Sequence, residues 1–444
     1  MATISLQIGQ AGNQVGYAVL ERLAHEFDCP DSHFRPVQNA RASAIRSGQH
    51  RARAVVMDSE PKVVRMLNES TLRLPWCYSK RQTMCEQRGA GNNWANGYMR
   101  YGHEYHEFSL DAIRREAEAA DRVDAFQVYS SVAGGTGSGL GARVTELVRE
   151  AYPKSALTNM IVLPYMTGEV IVQFYNAVLS LSHLTTASDA IFLLRNDDAH
   201  RVAQSSYKLK TVTMDALNNV YANDLAHALG PSRAAAGADC GLLDPSLLSQ
   251  AQRVAHLVPH PDYKLLTTHS IPQMPESYQA FSRYDWSSLT TTARAMALAD
   301  SPVEEGFNRR LKPAPGPVPG DLNQQVAPAR GATSLATLVT LRGDQLGTAN
   351  CSAFWEEGLY SAWAPSPVLV AGSTLAFGGH AKSVSTVLNG SRNAMFLDAA
   401  LERTQRMFSK RAYVHQYEAF GLQATDIENA MLICEQVVAS YAGL

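Results

Sequence analysis

Residues 133–139 read Ala133-Gly134-Gly135-Thr136-Gly137-Ser138-Gly139. Glycines at this density let a backbone approach a ligand closely and turn several N–H groups toward one point. Thr136 and Ser138 add hydroxyl donors, and a helix expected to begin near Leu140 adds the positive end of its dipole. That combination is an anion cradle suited to a phosphate. It is not a Walker A loop, because no lysine follows the final glycine, and G-x-G-x-x-G cannot be written across residues 134–141. A flexible glycine-rich connection is the competing reading; the apolar strand before the run and the helix pattern after it favour the cradle.

Further loops carry matching chemistry. Gly9-Gln10-Ala11-Gly12-Asn13-Gln14 is a second glycine-bearing turn from strand to helix, and Gly89-Ala90-Gly91-Asn92-Asn93-Trp94 is a third, in which Asn92 or Asn93 could reach a terminal phosphate. Asp58 and Glu60 end a strand with two carboxylates, the hard oxygen donors that magnesium prefers, although a solvated turn before Pro61 would look the same. Glu169 and Asn196 follow later strands and could bind a ribose hydroxyl or a base edge. His103-Glu104-Tyr105-His106-Glu107 looks metal-like but lacks the H-E-x-x-H spacing and reads as a surface turn. Pro259 separates His256 from His260, so no regular helix presents both. No G-x-S-x-G elbow is present.

The elements that must position these loops alternate. Ile4, Leu6 and Ile8 alternate with polar residues as in a strand, and Val15, Val19, Leu23 and Phe27 follow at helical spacing. Short apolar strands are expected at 54–57, 126–129, 160–164 and 190–194, each leading through polar loop residues into a helix. Such alternation predicts an α/β fold with a parallel, Rossmann-like sheet covered by helices on both faces, and a ligand at the carboxyl ends of its strands. The second half differs. A helix through Asn218 to residue 229 could join two domains, Lys312-Pro313-Ala314-Pro315-Gly316-Pro317-Val318-Pro319 predicts an extended loop, and residues 335–341 predict a strand ended by Arg342-Gly343. Thr425-Asp426-Ile427-Glu428 reads as a capping box opening a helix striped by Ile427, Met431, Cys434, Val438 and Tyr441.

A chain of 444 residues allows two or three domains and a core that needs no staples. Its net charge of −2 gives no footprint for nucleic acid, its six cysteines form no C-x-x-C pair and suit a reducing compartment, and no apolar run reaches the ~18 residues of a membrane span. The first residues lack a basic region and an apolar run, so no signal peptide is expected.

These residues resemble the tubulin superfamily. The run 133–139 matches its signature, residues 9–14 its first nucleotide loop, and GAGNNWANG at 89–97 another loop, with further likeness at Leu257-Val258-Pro259, Leu341-Arg342-Gly343 and Ala412-Tyr413-Val414-His415. Residues 167–173, 257–261 and 435–441 are most similar to the delta class. The resemblance implies GTP or GDP with Mg2+. Gln10 and Ala11 would contact the phosphates, and Glu60 would serve the metal with Asp58 nearby. Gly91 and Asn92 would approach the outermost phosphate, and Ser131 with Ala133, Gly134, Gly135, Thr136, Gly137, Ser138 and Gly139 would hold the phosphate chain. Glu169 would lie near the ribose, while Asn196 and Asn218 would read guanine. Departures from the family pattern are Met214 where an aromatic ring stacks on guanine, Gln173 where alpha and beta chains carry a ribose-binding glutamate, Gln252 where alpha chains present a hydrolytic glutamate, and an ending without an acidic tail. For the last activity Asp244 is the alternative carboxylate, held outside the helix by Pro245.

The expected layout is a GTP-binding domain over 1–205, a connecting core helix over 206–230, an intermediate α+β domain over 231–385 and a C-terminal helical segment over 386–444. The implied function is a GTP-binding protein with at most weak GTPase activity. It would act in the cytoplasm and cytoskeleton at centrioles and basal bodies, supporting triplet microtubules and cilium assembly with other tubulins and centriolar proteins as partners. The alternatives are a free-standing nucleotide-binding enzyme, hydrolase or oxidoreductase, on the same scaffold, and an ordinary microtubule subunit.

Overall fold

The computed structural model describes residues 1–37, 49–86, 88–168, 170–275, 278, 284–307, 333–356 and 358–444. The proline-rich segment 312–319 and Glu169 lie outside the described residues. The chain forms two compact units, one of Met1–Asp197, Ser249–Ala251 and Met395–Ala439, the other of Asp198–Leu248, Gln252–Ala394 and Ser440–Leu444.

The first unit holds strands β1 (Ala2–Ile8), β2 (Phe34–Pro36), β3 (His50–Ala52), β4 (Ala54–Asp58), β5 (Trp76–Cys77), β6 (Thr83–Cys85), β7 (Val123–Ser131), β8 (Ala156–Leu163) and β9 (Ala190–Arg195). Six of them form a parallel sheet in the order β9-β8-β7-β1-β4-β6, and β2, β3 and β5 pair separately. Ile4, Leu6, Ile8, Val55, Phe126, Val128, Val144 and Val148 make the core, and the helix Gly9–Phe27 adds Val15, Val19 and Leu23 to the buried set. β1 differs from the half-exposed strand that its alternation suggests: all seven residues are buried. It lies between two neighbours and under helices, so Thr3, Ser5 and Gln7 are interior too, and Gln7 accepts the Tyr78 hydroxyl at 3.0 Å.

Two further local differences have physical causes. Helical backbone after the glycine run starts at Thr136 rather than near Leu140, as a widened turn Thr136–Leu140 that runs into the helix Gly141–Ala151; the Gly139 N–H already bonds the Gly135 carbonyl at 2.9 Å. The segment expected as a surface turn is helical instead, Gly102–Glu104 followed by His106–Glu118. Tyr105 is buried and stacked 5.4 Å from Tyr101, which anchors the segment while His103, Glu104 and Glu107 stay exposed. Among the described residues no group of three His, Cys, Asp or Glu side chains could hold a metal by itself.

The second unit holds β10 (Arg233–Ala236), β11 (Asp239–Leu243), β12 (Leu265–Ile271), β13 (Ser334–Gly343), β14 (Val368–Ser373) and β15 (Lys382–Gly390), in the order β11-β10-β14-β13-β15-β12. β13 and β14 are parallel; the other pairs are antiparallel. Trp286, Leu289, Ala293 and Met296 of the helix Trp286–Ala299 share one cluster with Val339, Leu341 and Val384. Arg342, which the sequence places at a strand end, is fully buried. It donates to the carbonyls of His227 at 2.9 Å and Pro231 at 2.8 Å, satisfying carbonyls at the end of the helix Met214–Leu229. The C-terminal helices Met395–Phe408, Val414–Glu418 and Ala424–Ala442 belong to the first unit as far as Ala439. The last begins before the anticipated box: Asp426 Oδ2 accepts the Gln423 N–H at 2.8 Å. Among the described residues no helix is long and apolar enough to cross a membrane.

Candidate functional site

Because β1, β4, β6 and β7 run parallel, the loops that leave them gather at one edge of the sheet. Close backbone contact knits them together. A side chain at Gly135 would place its Cβ 2.7 Å from Ala90 Cβ and 2.8 Å from the Asn93 nitrogen, and one at Gly139 would meet the Trp94 carbonyl oxygen at 2.2 Å. Gly9, at φ +73°, turns so that its Cβ position lies 2.7 Å from the Gly137 nitrogen. Gly134 and Gly91 are different. Among the described residues, only Asn92 Oδ1 comes within reach above Gly134, at 3.8 Å, and nothing lies within 4 Å above Gly91. The glycine run therefore has two jobs: Gly135, Gly137 and Gly139 let loops pack, while Gly134 leaves room for something else.

The hydroxyls divide as well. Thr136 Oγ1 stands 2.6 Å from Ser59 Oγ, both residues buried. Ser138 donates to the Gly134 carbonyl, so the hydroxyl expected to face a ligand already has a protein partner. Ser131 Oγ accepts the Ala133 N–H at 3.3 Å. The donors left for an anion are the backbone N–H groups at the start of the helical turn, which have no intrahelical acceptor.

The two carboxylates after β4 are unlike each other. Asp58 is buried; its Oδ1 accepts the Glu60 N–H at 3.2 Å and its Oδ2 accepts Asn13 Nδ2 at 3.3 Å. Burial pushes its carboxyl up to about 6, while the bonds from Glu60 and Asn13 act in the opposite direction. Glu60 is exposed, with Oε1 2.8 Å from the Cβ position of Gly89. Asp58 orders the turn, and Glu60 is the carboxylate open to a cation.

Of the paired asparagines, Asn93 is committed to the protein, its Oδ1 accepting the Asn96 N–H at 3.2 Å and its Nδ2 donating to the Gln416 carbonyl at 3.0 Å. Asn92 is exposed, at φ +53°, facing Gly134. Gln10 is exposed and Ala11 half-buried at the start of the first helix. The hub was missed by sequence reasoning. Asn176, fully buried on the helix Gln173–Ala187, donates through Nδ2 to the carbonyls of Asn92 and Ala133, each at 2.8 Å. Nothing in the local pattern marks it, because Gln173, Ser180 and His183 at helical spacing give its face other polar residues.

The remaining positions lie further along. Asn196 opens the helix Asn196–Arg201 directly after β9 and is half-buried. Gln173 is buried and donates through Nε2 to the Tyr165 carbonyl at 3.1 Å, bracing the turn before it. In the second unit, Asn218 is half-buried on the helix Met214–Leu229, and Met214, its first residue, is 51% exposed. Gln252 is exposed on the helix Gln250–Leu257, and Asp244 lies outside that helix, bonded to Ser246. Arg253, next to Gln252, is buried and donates to the Ala228 carbonyl at 2.7 Å and Ser232 Oγ at 2.8 Å.

A parallel sheet with a glycine-lined phosphate cradle at its carboxyl edge and no P-loop lysine defines a nucleotide-binding α/β domain of a non-Walker kind. Comparison with known proteins gives the class. The Tubulin/FtsZ family, GTPase domain, matches residues 2–204. The chain is 35% identical to the tubulin delta chain of Canis lupus familiaris and 34% identical to that of Homo sapiens, in each case over the full length of both proteins. It is 27% identical to a tubulin beta-1 chain of Mus musculus over 99% of this chain and 93% of that one. The chain belongs to the tubulin family, and its GTPase domain implies GTP or GDP as the nucleotide.

Proposed function

We propose that this protein is a GTP-binding, delta-tubulin-like subunit that works with other tubulins and centriolar proteins in the cytoplasmic cytoskeleton. Its task is to form or stabilise the triplet microtubules of centrioles and basal bodies, and through them cilia. The observation that carries the nucleotide reading is the open position above Gly134, flanked by Asn92 and the start of a helix. In this reading residues 1–205 bind GTP and residues 206–230 connect them to an intermediate domain over 231–385 and a helical segment over 386–444. Gln10, Ala11, Ser131 and residues 133–139 hold the phosphates, Gly91 and Asn92 meet the outermost one, Glu169 serves the ribose, and Asn196 and Asn218 read guanine. The delta assignment is supported by 35% identity along the whole chain, against 27% for a beta chain.

Magnesium fits the donor set. The exposed Glu60 carboxylate offers one hard oxygen ligand, with Asp58 behind it. Mg2+ is commonly held by one or two carboxylates plus water and substrate phosphates, so a complete protein cage is not needed. When bound, the ion would neutralise phosphate charge; the protein's own part is to present Glu60 and keep the Asp58 turn in shape.

The test is the nucleotide that leaves the purified, denatured protein, identified by mass. Guanine nucleotide is expected. A nicotinamide cofactor would overturn the reading in favour of an oxidoreductase. For the cellular role, the tagged protein is expected at centrioles and basal bodies; even labelling along all microtubules would replace it with an ordinary lattice subunit.

A further inference from the structure

Asn176 has its whole hydrogen-bonding capacity in use. Nδ2 donates to the Asn92 and Ala133 carbonyls, while Oδ1 accepts the Trp94 N–H at 3.0 Å and the Tyr417 hydroxyl at 2.7 Å. Only a carboxamide offers two donors and a double acceptor in one plane, and the partners fix its orientation, since a flipped amide would face carbonyls with its oxygen and an N–H with its NH2. Burial holds the Tyr417 phenol well above its ordinary value, so it remains a donor.

Tyr417 belongs to the helix Val414–Glu418, and this segment is tied once more to the Asn92 loop and once to the helix that carries Asn176. Asn93 Nδ2 bonds the Gln416 carbonyl at 3.0 Å, and the Tyr175 hydroxyl bonds the Ala412 carbonyl at 3.1 Å while its ring meets Tyr417 edge-on at 5.5 Å. His415, Gln416 and Glu418 on this helix are exposed.

We propose that Asn176 and Tyr417 are positioning residues that set the gap between the Asn92 and Ala133 loops, and that through them the presence of the outermost phosphate is coupled to the surface helix Val414–Glu418. The proposal rests on the GTP-binding reading above. Asn92 and Ala133 flank the open position over Gly134, so a ligand that shifts either loop changes the geometry at Asn176 and hence at Tyr417. Linkage makes the effect reciprocal: whatever binds residues 414–418 and favours one position of Tyr417 must change the preference for GTP over GDP by the same factor.

The experiment compares GTP and GDP affinities of the full chain and Tyr417→Phe, with hydrogen exchange of residues 412–418 in both nucleotide states. The variant keeps the ring and removes only the donor. Its GTP-over-GDP preference is expected to fall roughly five- to tenfold, with GDP affinity kept. The exchange difference between nucleotide states, present in the parent, is expected to shrink in the variant. A residue with a merely structural role would lower both affinities alike. An unchanged preference in a folded variant overturns the proposal, and so does a parent whose residues 412–418 exchange identically with GTP and GDP, a measurement that needs no variant. A parent that binds no guanine nucleotide overturns the underlying reading instead, and is recognised by that alone.

Discussion

Ser59 Oγ and Thr136 Oγ1 stand 2.6 Å apart and both residues are buried, which joins the end of β4 to the start of the glycine turn. The carboxylate loop and the phosphate cradle are thus held as one piece. In Thr136→Val this bond is lost and the Ser59 hydroxyl is left buried, at a cost of about 1–3 kcal/mol. Thermal melting should fall accordingly and bound nucleotide should be lost, with Thr136→Ser restoring both. A valine variant that melts and retains nucleotide like the parent would show that the bond holds nothing.

The glycines should separate into two kinds. Gly135→Ala drives a methyl against Ala90 and the Asn93 backbone, and overpacking of this sort costs about 1–3 kcal/mol even without nucleotide; Gly135→Val should be worse. Gly134→Ala meets open space, so melting of the nucleotide-free protein should be unchanged while nucleotide affinity drops. Equal effects at the two positions in both measurements would refute the division.

Glu60→Ala should weaken GTP binding only when magnesium is present. Titrations with magnesium and with a chelator give the comparison. If chelation leaves the parent's affinity unchanged, Glu60 serves no metal.

In the second unit Asp224 takes the hydroxyl of Ser270, which itself accepts Asn223 Nδ2 at 3.0 Å. Burial pushes this carboxyl up to about 7 from an ordinary 3.8, against the lowering effect of the Ser270 bonds. The folded state therefore binds the proton more tightly than the unfolded chain. The resulting stability is fully present below about 3.8 and is lost as pH rises through about 7. Asp224→Asn should flatten this slope, gaining on the parent in melting temperature between pH 5 and pH 8. Parallel melting curves against pH would exclude it.

Hydrolysis should be slow. Gln252 is exposed but is an amide, able to orient water and unable to accept its proton at neutral pH. Turnover with candidate tubulin partners should rise in Gln252→Glu. Fast turnover in the parent, abolished by Asp244→Ala and untouched at Gln252, would assign the role to Asp244.

The sheet of the first unit was legible because parallel strands buried on both faces leave apolar runs, as at β8 and β9, and the glycine run stands out against any background. Local pattern failed where burial came from distant partners. Thr3, Ser5 and Gln7 look like a wet face until β4 and β7 flank them, and Arg342 and Arg253 look like surface charges until helix-end carbonyls claim them. The Ser138 hydroxyl is taken by its own turn, which depends on where the helical backbone begins. Asn176 was invisible for the same reason: its partners lie 43, 82, 84 and 241 residues away.

That last separation has a consequence during synthesis. Asn176 emerges 241 residues before Tyr417, and at roughly 5–20 residues per second this leaves about 10–50 seconds in which the clamp lacks its final donor. A newborn chain thus carries the glycine loops long before it can hold them at their finished spacing. Arrested chains ending before Tyr417 should expose the Asn92 loop to hydrogen exchange, and chains released beyond it should not. Guanine nucleotide captured in that interval would act as a template for the loops, filling in for a residue not yet made.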